Sequence, residues 1–198
     1  MKIGIDVDNT ITNTLITLKK YCAEYNDKVV KRNLKMNEWG FNTSNIFDWT
    51  EEENMEFCKK YLESVIINVT VKENASKIIQ KLKDEGNYIY IITARNKPDF
   101  SDPYLLTKNY LDSNNILYDE LVVGCLDKLA FCREHDIEIL VDDEPQNIQS
   151  VSSIMPVIVF EGPQNVNCSG DRIIKVNDWN EVYELINKYK PWIWQIKI

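Results

Sequence analysis

Short runs of apolar residues alternate along the chain with longer stretches in which apolar positions recur every three or four residues. The short runs read as strands covered on both faces and the longer ones as amphipathic helices. Their alternation predicts βα units and an α/β fold built on a doubly wound parallel sheet. The predicted strands are residues 3–7, 88–93, 120–124, 137–141, 157–160 and, on a weaker pattern, 172–176. Helical periodicity runs through residues 75–82, with Gly86 just past the end, and through 104–111, 128–134, 146–154 and 180–189.

One stretch breaks the alternation. Residues 15–70 carry no strand pattern and read as two helices, 15–30 and 51–66. An aromatic segment joins them, from Trp39-Gly40-Phe41 to Phe47-Asp48-Trp49. The expectation is an α/β core of residues 1–14 and 71–198 with a small helical lobe, residues 15–70, inserted after the first strand. A chain of 198 residues suits one domain with such an insert, since domains run to roughly 150 residues.

Charge narrows the partners. Lys and Arg number 23 against 31 Asp and Glu, a net charge of −8. Such a surface repels a nucleic-acid polymer but leaves room for a small phosphorylated ligand in one locally cationic pocket. The five cysteines, Cys22, Cys58, Cys125, Cys132 and Cys168, form no C-x-x-C pair, which fits reduced thiols. His135 is the single histidine and reads as a surface residue; one histidine argues against zinc hydrolysis and against a Ser-His-Asp triad. No apolar run reaches membrane-span length and a strand pattern begins almost at Met1, so the expectation is a soluble, cytoplasmic protein. The apolar stretch Pro191-Trp-Ile-Trp-Gln-Ile-Lys-Ile reads as packing on its own domain, with a homodimer contact as the alternative.

Open parallel sheets bind ligands at the carboxyl ends of their strands. The first strand delivers Asp6-Val7-Asp8-Asn9-Thr10 there, and the second Thr93-Ala94-Arg95. Lys128 follows the third, and the fourth delivers Asp142-Asp143-Glu144. A buried carboxylate cluster is costly without a cation, and an oxygen-only donor set beside a phosphate favours Mg²⁺. Thr93 and Lys128 supply a hydroxyl and an ammonium for phosphate oxygens, and turn amides add donors. Asn9 suits a tight turn that would separate the roles of Asp6 and Asp8, because Asn tolerates the left-handed conformation. Singly, each motif has a plain structural reading: a solvated turn, a strand end, a surface lysine, a helix cap. Their arrival in order at one sheet edge is what points to chemistry.

In that order, Asp6-x-Asp8-x-Thr10, Thr93, Lys128 and Asp142-Asp143 resemble the four motifs of the haloacid dehalogenase-like superfamily. The start Ile3-Gly-Ile-Asp-Val-Asp-Asn-Thr, the aromatic insert, Ile91-Ile-Thr-Ala-Arg and Leu140-Val-Asp-Asp-Glu-Pro resemble its 5′(3′)-deoxyribonucleotidase-like branch. The resemblance implies a Mg²⁺-dependent phosphomonoesterase acting on a nucleoside monophosphate. It implies Asp6 as nucleophile and Asp8 as general acid, then base. Thr93, Ala94 and Lys128 would hold the phosphoryl group. The Asp6 carboxylate, the Asp8 carbonyl and Asp142 would bind the metal, supported by Asp143. Leu126 stands where the animal enzymes carry a basic residue, which puts their substrate preference in doubt here. Trp39, Phe41, Phe47 and Trp49 form either the core of the lobe or a stacking platform for a base, and Arg95 either touches substrate or makes a salt bridge. Two other classes remain: a phosphatase for another small metabolite, such as a sugar phosphate, and a phospho-acceptor regulatory domain. In receivers of the latter kind the acidic pair precedes the acceptor aspartate, the reverse of the order here.

Overall fold

The computed structural model describes residues 1–196, with side chains as far as Lys190. Its sheet has six strands: β1 (Lys2–Ile5), β2 (Tyr88–Thr93), β3 (Glu120–Val123), β4 (Ile139–Asp142), β5 (Val157–Phe160) and β6 (Ile173–Val176). All pair in parallel in the order β3-β2-β1-β4-β5-β6. The order reverses direction at β1, so the crevice between β1 and its neighbours is the expected ligand position.

Strand side chains alternate between two apolar layers, as a sheet covered on both faces demands. Ile3, Ile5, Ile89, Ile91, Ile139, Val141, Ile158 and Phe160 face one layer. That layer is filled by helices α4 (Ala75–Asp84), α5 (Pro103–Ser113) and α8 (Trp179–Ile196) through Ile79, Leu82, Leu111, Trp179 and Val182. Tyr90, Ile92, Leu140, Val157 and Val159 face the other, closed by α6 (Lys128–Glu134) and α7 (Pro145–Val151).

The stretch between β1 and α4 is helical. It holds α1 (Thr14–Tyr25), a π-helical turn (Asn26–Val30), α2 (Thr43–Ile46) and α3 (Glu51–Ile67). These pack their own cluster, with Leu18, Cys22, Tyr25, Ile46, Phe47, Phe57 and Val65 buried in it. The chain enters and leaves this lobe side by side: Asn13 N–H donates to Thr70 O at 2.9 Å and Lys72 N–H to Ile11 O at 2.8 Å.

Several sequence expectations shift. β1 stops at Ile5 rather than residue 7, because the chain turns from Val7, whose carbonyl accepts from Ile11 N–H at 3.0 Å and Thr12 N–H at 3.1 Å. β4 begins at Ile139, two residues late, after Ile137 has completed the turn that follows α6. The helix expected over 15–30 is α-helical only to Tyr25, and the four-residue α2 is too short to leave a periodic signal. His135 is half-buried rather than on the surface, stacked on Phe131 with ring centroids 4.0 Å apart. All five cysteines are free. Among the described residues, no helix is long and apolar enough to cross a membrane. The expected packing or dimer role of the 191–198 side chains lies outside the described residues.

Candidate active site

The four motifs converge at the carboxyl edge of the sheet. Asp6 follows β1 directly and stays in register, its N–H donating to Val141 O at 2.9 Å. Asn9 takes φ = 55°, the left-handed turn expected of it, and its side-chain oxygen accepts from Leu15 N–H at 2.7 Å. That turn separates Asp6, directed into the sheet edge, from Asp8, which keeps 30% of its side chain exposed.

Lys128 ties the centre together. It opens α6, where Asp127 caps the helix by accepting from Ala130 N–H at 2.9 Å. Its ammonium, fully buried, donates to Asp6 Oδ1 at 2.5 Å and to Asp142 Oδ2 at 2.7 Å. Burial alone would strip the lysine of its proton; the two carboxylates more than reverse this and hold it charged. Asp142 ends β4 and also accepts from Glu144 N–H at 2.8 Å and from the Asn147 amide at 3.1 Å. Thr93 ends β2, fully buried; its oxygen accepts from Arg95 N–H at 3.3 Å, and its own O–H donates to nothing among the described residues. Ala94, next to it, is exposed.

Three carboxylates, Asp6, Asp142 and Asp143, therefore face one ammonium. Burial pushes the Asp6 carboxyl up to about 7, with Asp142 and Asp8 adding to the rise and Lys128 opposing it. Asp143 is raised well above the usual carboxylate range, by burial first and then by Asp6 and Asp142. Such a site has excess negative charge that a hard cation would neutralise, and its donors are all oxygens. Among the described residues no three acidic, His or Cys side chains form a ready cage. The fit is instead two carboxylates, Asp6 and Asp142, completed by main-chain oxygen and a ligand's own oxygens, an arrangement suited to Mg²⁺ beside a phosphate.

Asp8 is balanced separately. Arg95 donates to it twice, Nε to Oδ2 and Nη2 to Oδ1, both at 2.8 Å. Burial opposes charge on Asp8, but this guanidinium and the Thr14 hydroxyl at 2.7 Å hold its carboxyl below the usual range. Arg95 thus makes the salt bridge, with 3% of its side chain exposed.

The aromatic candidates divide. Trp49 packs inside the lobe, stacked on Phe47 at 5.4 Å and edge-on to Tyr25 at 5.0 Å, with its indole N–H donating to Asn26 at 3.3 Å. Trp39 is 71% exposed and Phe41 is 41% exposed. They flank Gly40, where a Cβ would lie 2.6 Å from Asn45 O, so the loop sits tightly against α2 and displays both rings.

Four neighbours went unnoticed in the sequence. Thr14 reaches Asp8, Asn147 reaches Asp142, Gln164 donates to Asp143 at 2.5 Å, and the Asn165 amide donates to Asp143 O at 2.7 Å. Only Asn147, one helical turn beyond the acidic pair, left a readable signal; the others meet the site through tertiary folding. Beside them a pocket of about 160 Å³ is lined by Asn9, Asn13, Lys72, Phe160 and Gln164, with the Lys72 ammonium 5.1 Å from the Phe160 ring centre.

A doubly wound sheet carrying an Asp-x-Asp turn, a threonine, a lysine and an acidic pair at one edge, with a helical insert after β1, defines a phosphatase of the haloacid dehalogenase-like superfamily. Solved structures share the fold. A haloacid dehalogenase-like family hydrolase, SP0104 from Streptococcus pneumoniae, superposes with a TM-score of 0.67 at 11% identity, covering 93% of this chain and 97% of that one. CbbY from Rhodobacter sphaeroides, solved with phosphate, gives 0.62 at 12% identity over 91% and 95%. Within the superfamily, residues 1–191 match the model of the 5′ nucleotidase, deoxy (pyrimidine), cytosolic type C protein family, and the chain belongs to that family. It is similar to YqfW of Bacillus subtilis, named as a candidate nucleotidase, at 26% identity over 96% of this chain and 95% of that protein. A candidate 5′(3′)-deoxyribonucleotidase of Chlorobaculum tepidum is 21% identical over 94% and 90%.

Proposed function

We propose that the protein is a Mg²⁺-dependent phosphomonoesterase that hydrolyses nucleoside monophosphates, deoxynucleotides foremost, through an aspartyl-phosphate on Asp6. The observation that carries the reading is the buried Asp6–Lys128–Asp142 bridge beside an Asp8 that remains partly open. One free Asp6 oxygen attacks phosphorus, and the ester P–O bond breaks. The leaving alkoxide takes a proton from Asp8. Water then attacks the same phosphorus, gives a proton back to Asp8, and the P–O bond to Asp6 breaks, releasing inorganic phosphate and restoring the carboxylate. Lys128 and the free Thr93 O–H hold the phosphoryl oxygens, with the exposed Ala94 amide as a further donor. Held by Asp6, Asp142 and the Asp8 carbonyl, with Asp143 behind them, Mg²⁺ would supply positive charge that keeps Asp6 ionised and offsets charge building on the phosphoryl group.

The helical lobe, residues 15–70, serves in this reading as a cap, and the displayed Trp39 and Phe41 are its candidates for stacking a base. Family membership and the nucleotidase names of the similar proteins support a nucleotide over a sugar phosphate. A regulatory receiver is disfavoured because the chain belongs to a nucleotidase family. The test is phosphate release from a panel of nucleotides and sugar phosphates, with Mg²⁺ and with excess chelator. Nucleotides should be preferred, chelator should abolish turnover, and Asp6→Asn should lower it by at least about 10³-fold. Unimpaired turnover in chelator, or by the Asp6→Asn variant, would sink the mechanism.

A further inference from the structure

We propose that Arg95 is a positioning residue for Asp8: it fixes the carboxyl group that handles protons and leaves one Asp8 oxygen, Oδ2, as the atom that gives and takes them. The inference rests on the phosphatase reading above and deepens it. Arg95 lies two residues beyond Thr93, so it ties the turn after β2 to the turn after β1 across the crevice. A planar guanidinium bonded through two parallel N–H···O contacts sets both the position and the plane of its carboxylate, which a single ammonium cannot do. The arginine is itself anchored. Its Nη1 donates to the buried Thr107 hydroxyl of α5 at 3.3 Å, and nearly all of its side chain is enclosed.

The two Asp8 oxygens are unequal. Oδ1 accepts from Arg95 Nη2 at 2.8 Å and from the Thr14 hydroxyl at 2.7 Å, which occupies it. Oδ2 accepts from Arg95 Nε alone, at 2.8 Å. Oδ2 thus keeps an open lone pair on a side chain that is 30% exposed, and proton transfer needs a heavy-atom approach held to a few tenths of an ångström. An arginine that bound substrate would need donors facing the crevice; three of this one's five N–H groups are spent on protein groups, and its side chain is 3% exposed.

The experiment uses the full chain with Mg²⁺ and a nucleoside 5′-monophosphate. Arg95→Gln, Arg95→Lys and Thr14→Val are compared in the parent and in an Asp8→Asn background, with the fold of each checked by circular dichroism. Arg95→Gln should lower kcat about 10- to 100-fold with KM changed less than about threefold. Arg95→Lys should recover part of the loss. In the Asp8→Asn background Arg95→Gln should cost nothing further, because the group it positions is gone. Thr14→Val touches Asp8 from the partly exposed start of α1, so it probes the same carboxyl without opening the core; it should lower kcat about 2- to 10-fold with the same non-additivity.

A KM rise of tenfold or more at unchanged kcat would make Arg95 a substrate ligand and overturn the inference. Equal losses in both backgrounds would reduce it to a structural residue and overturn it as well. Should Arg95→Gln not fold, parent-like kcat in folded Thr14→Val and Arg95→Lys would do so. Parent-like turnover by Asp8→Asn alone would instead remove Asp8 from proton transfer, a failure of the underlying reading that the single variant reveals before any Arg95 result is read.

Discussion

Asp6 and Asp8 stand two residues apart on one turn, yet their surroundings move them in opposite directions. Burial and neighbouring carboxylates raise the first, while Arg95 and Thr14 hold the second low. Both shifts oppose the proposed jobs, since a nucleophile must be ionised and a general acid protonated; a cation beside Asp6 and a phosphate dianion beside Asp8 would each push the other way. If Asp8 serves both half-reactions, the leaving group exposes it. A nitrophenolate leaves with little help from an acid, whereas the aspartyl-phosphate still needs its water activated. Mixing Asp8→Asn with p-nitrophenyl phosphate should release about one nitrophenolate per site and then stall. Steady turnover at the parent rate would remove Asp8 from the acid–base role. At this scale the convergence of the motif residues was readable from the sequence, because strand ends in a parallel sheet share an edge whatever their separation along the chain. The partners of those residues were not. Gln164 reaches Asp143 through a loop after β5, and nothing local in that loop marks it as part of the site.

The strands were legible as elements because both faces of the sheet are covered, so apolar runs stand out from their flanks; their ends were less so. Periodicity continues smoothly where strand pairing stops, and the turn from Val7, itself apolar and buried, leaves no mark in the hydropathy. The insert shows the same limit. Its aromatic residues announced a lobe, but which rings lie inside it depends on packing. Phe57 is fully buried and contacts Tyr25, Trp49 and Tyr61, whereas Trp39 projects outward. The two should therefore separate stability from recognition. Phe57→Ala should cost about 3–5 kcal/mol, seen as faster proteolysis within residues 15–70 and a lower melting temperature. Trp39→Ala should leave the melt within about 0.5 kcal/mol of the parent. It should raise KM for a nucleotide roughly 5- to 150-fold while sparing a small substrate without a base. Equal KM changes for both substrates would take the base-stacking role away from Trp39.

For the whole molecule, the acidic edge links catalysis to stability. The chain carries a net charge of −8, and the three carboxylates around Lys128 concentrate part of it in a buried place. A carboxyl group whose pKa is higher in the folded chain than in the unfolded one keeps its proton longer when folded. The folded state is then favoured less as pH climbs from the unfolded value to the folded one. For Asp6 that window runs from 3.8 to about 7, and Asp143 shifts in the same direction. Asp8 has the opposite sign; its contribution is present above the ordinary carboxylate range and lost only as pH falls below it. Metal-free protein should therefore melt at a lower temperature near neutrality than at about pH 5. Mg²⁺ binding favours the ionised carboxylates, so its stabilisation should be larger at the higher pH. Saturation to 100 times Kd adds about 2.7 kcal/mol, on the order of 5–10 °C for a chain of this size. Asp6→Asn removes one of the titrating groups and a metal ligand together, so it should flatten the pH trend and shrink the Mg²⁺ shift. Calorimetric scans at both pH values, with and without millimolar Mg²⁺, check this. A Mg²⁺ shift equal at both pH values, or unchanged by Asp6→Asn, would mean that the cation binds elsewhere.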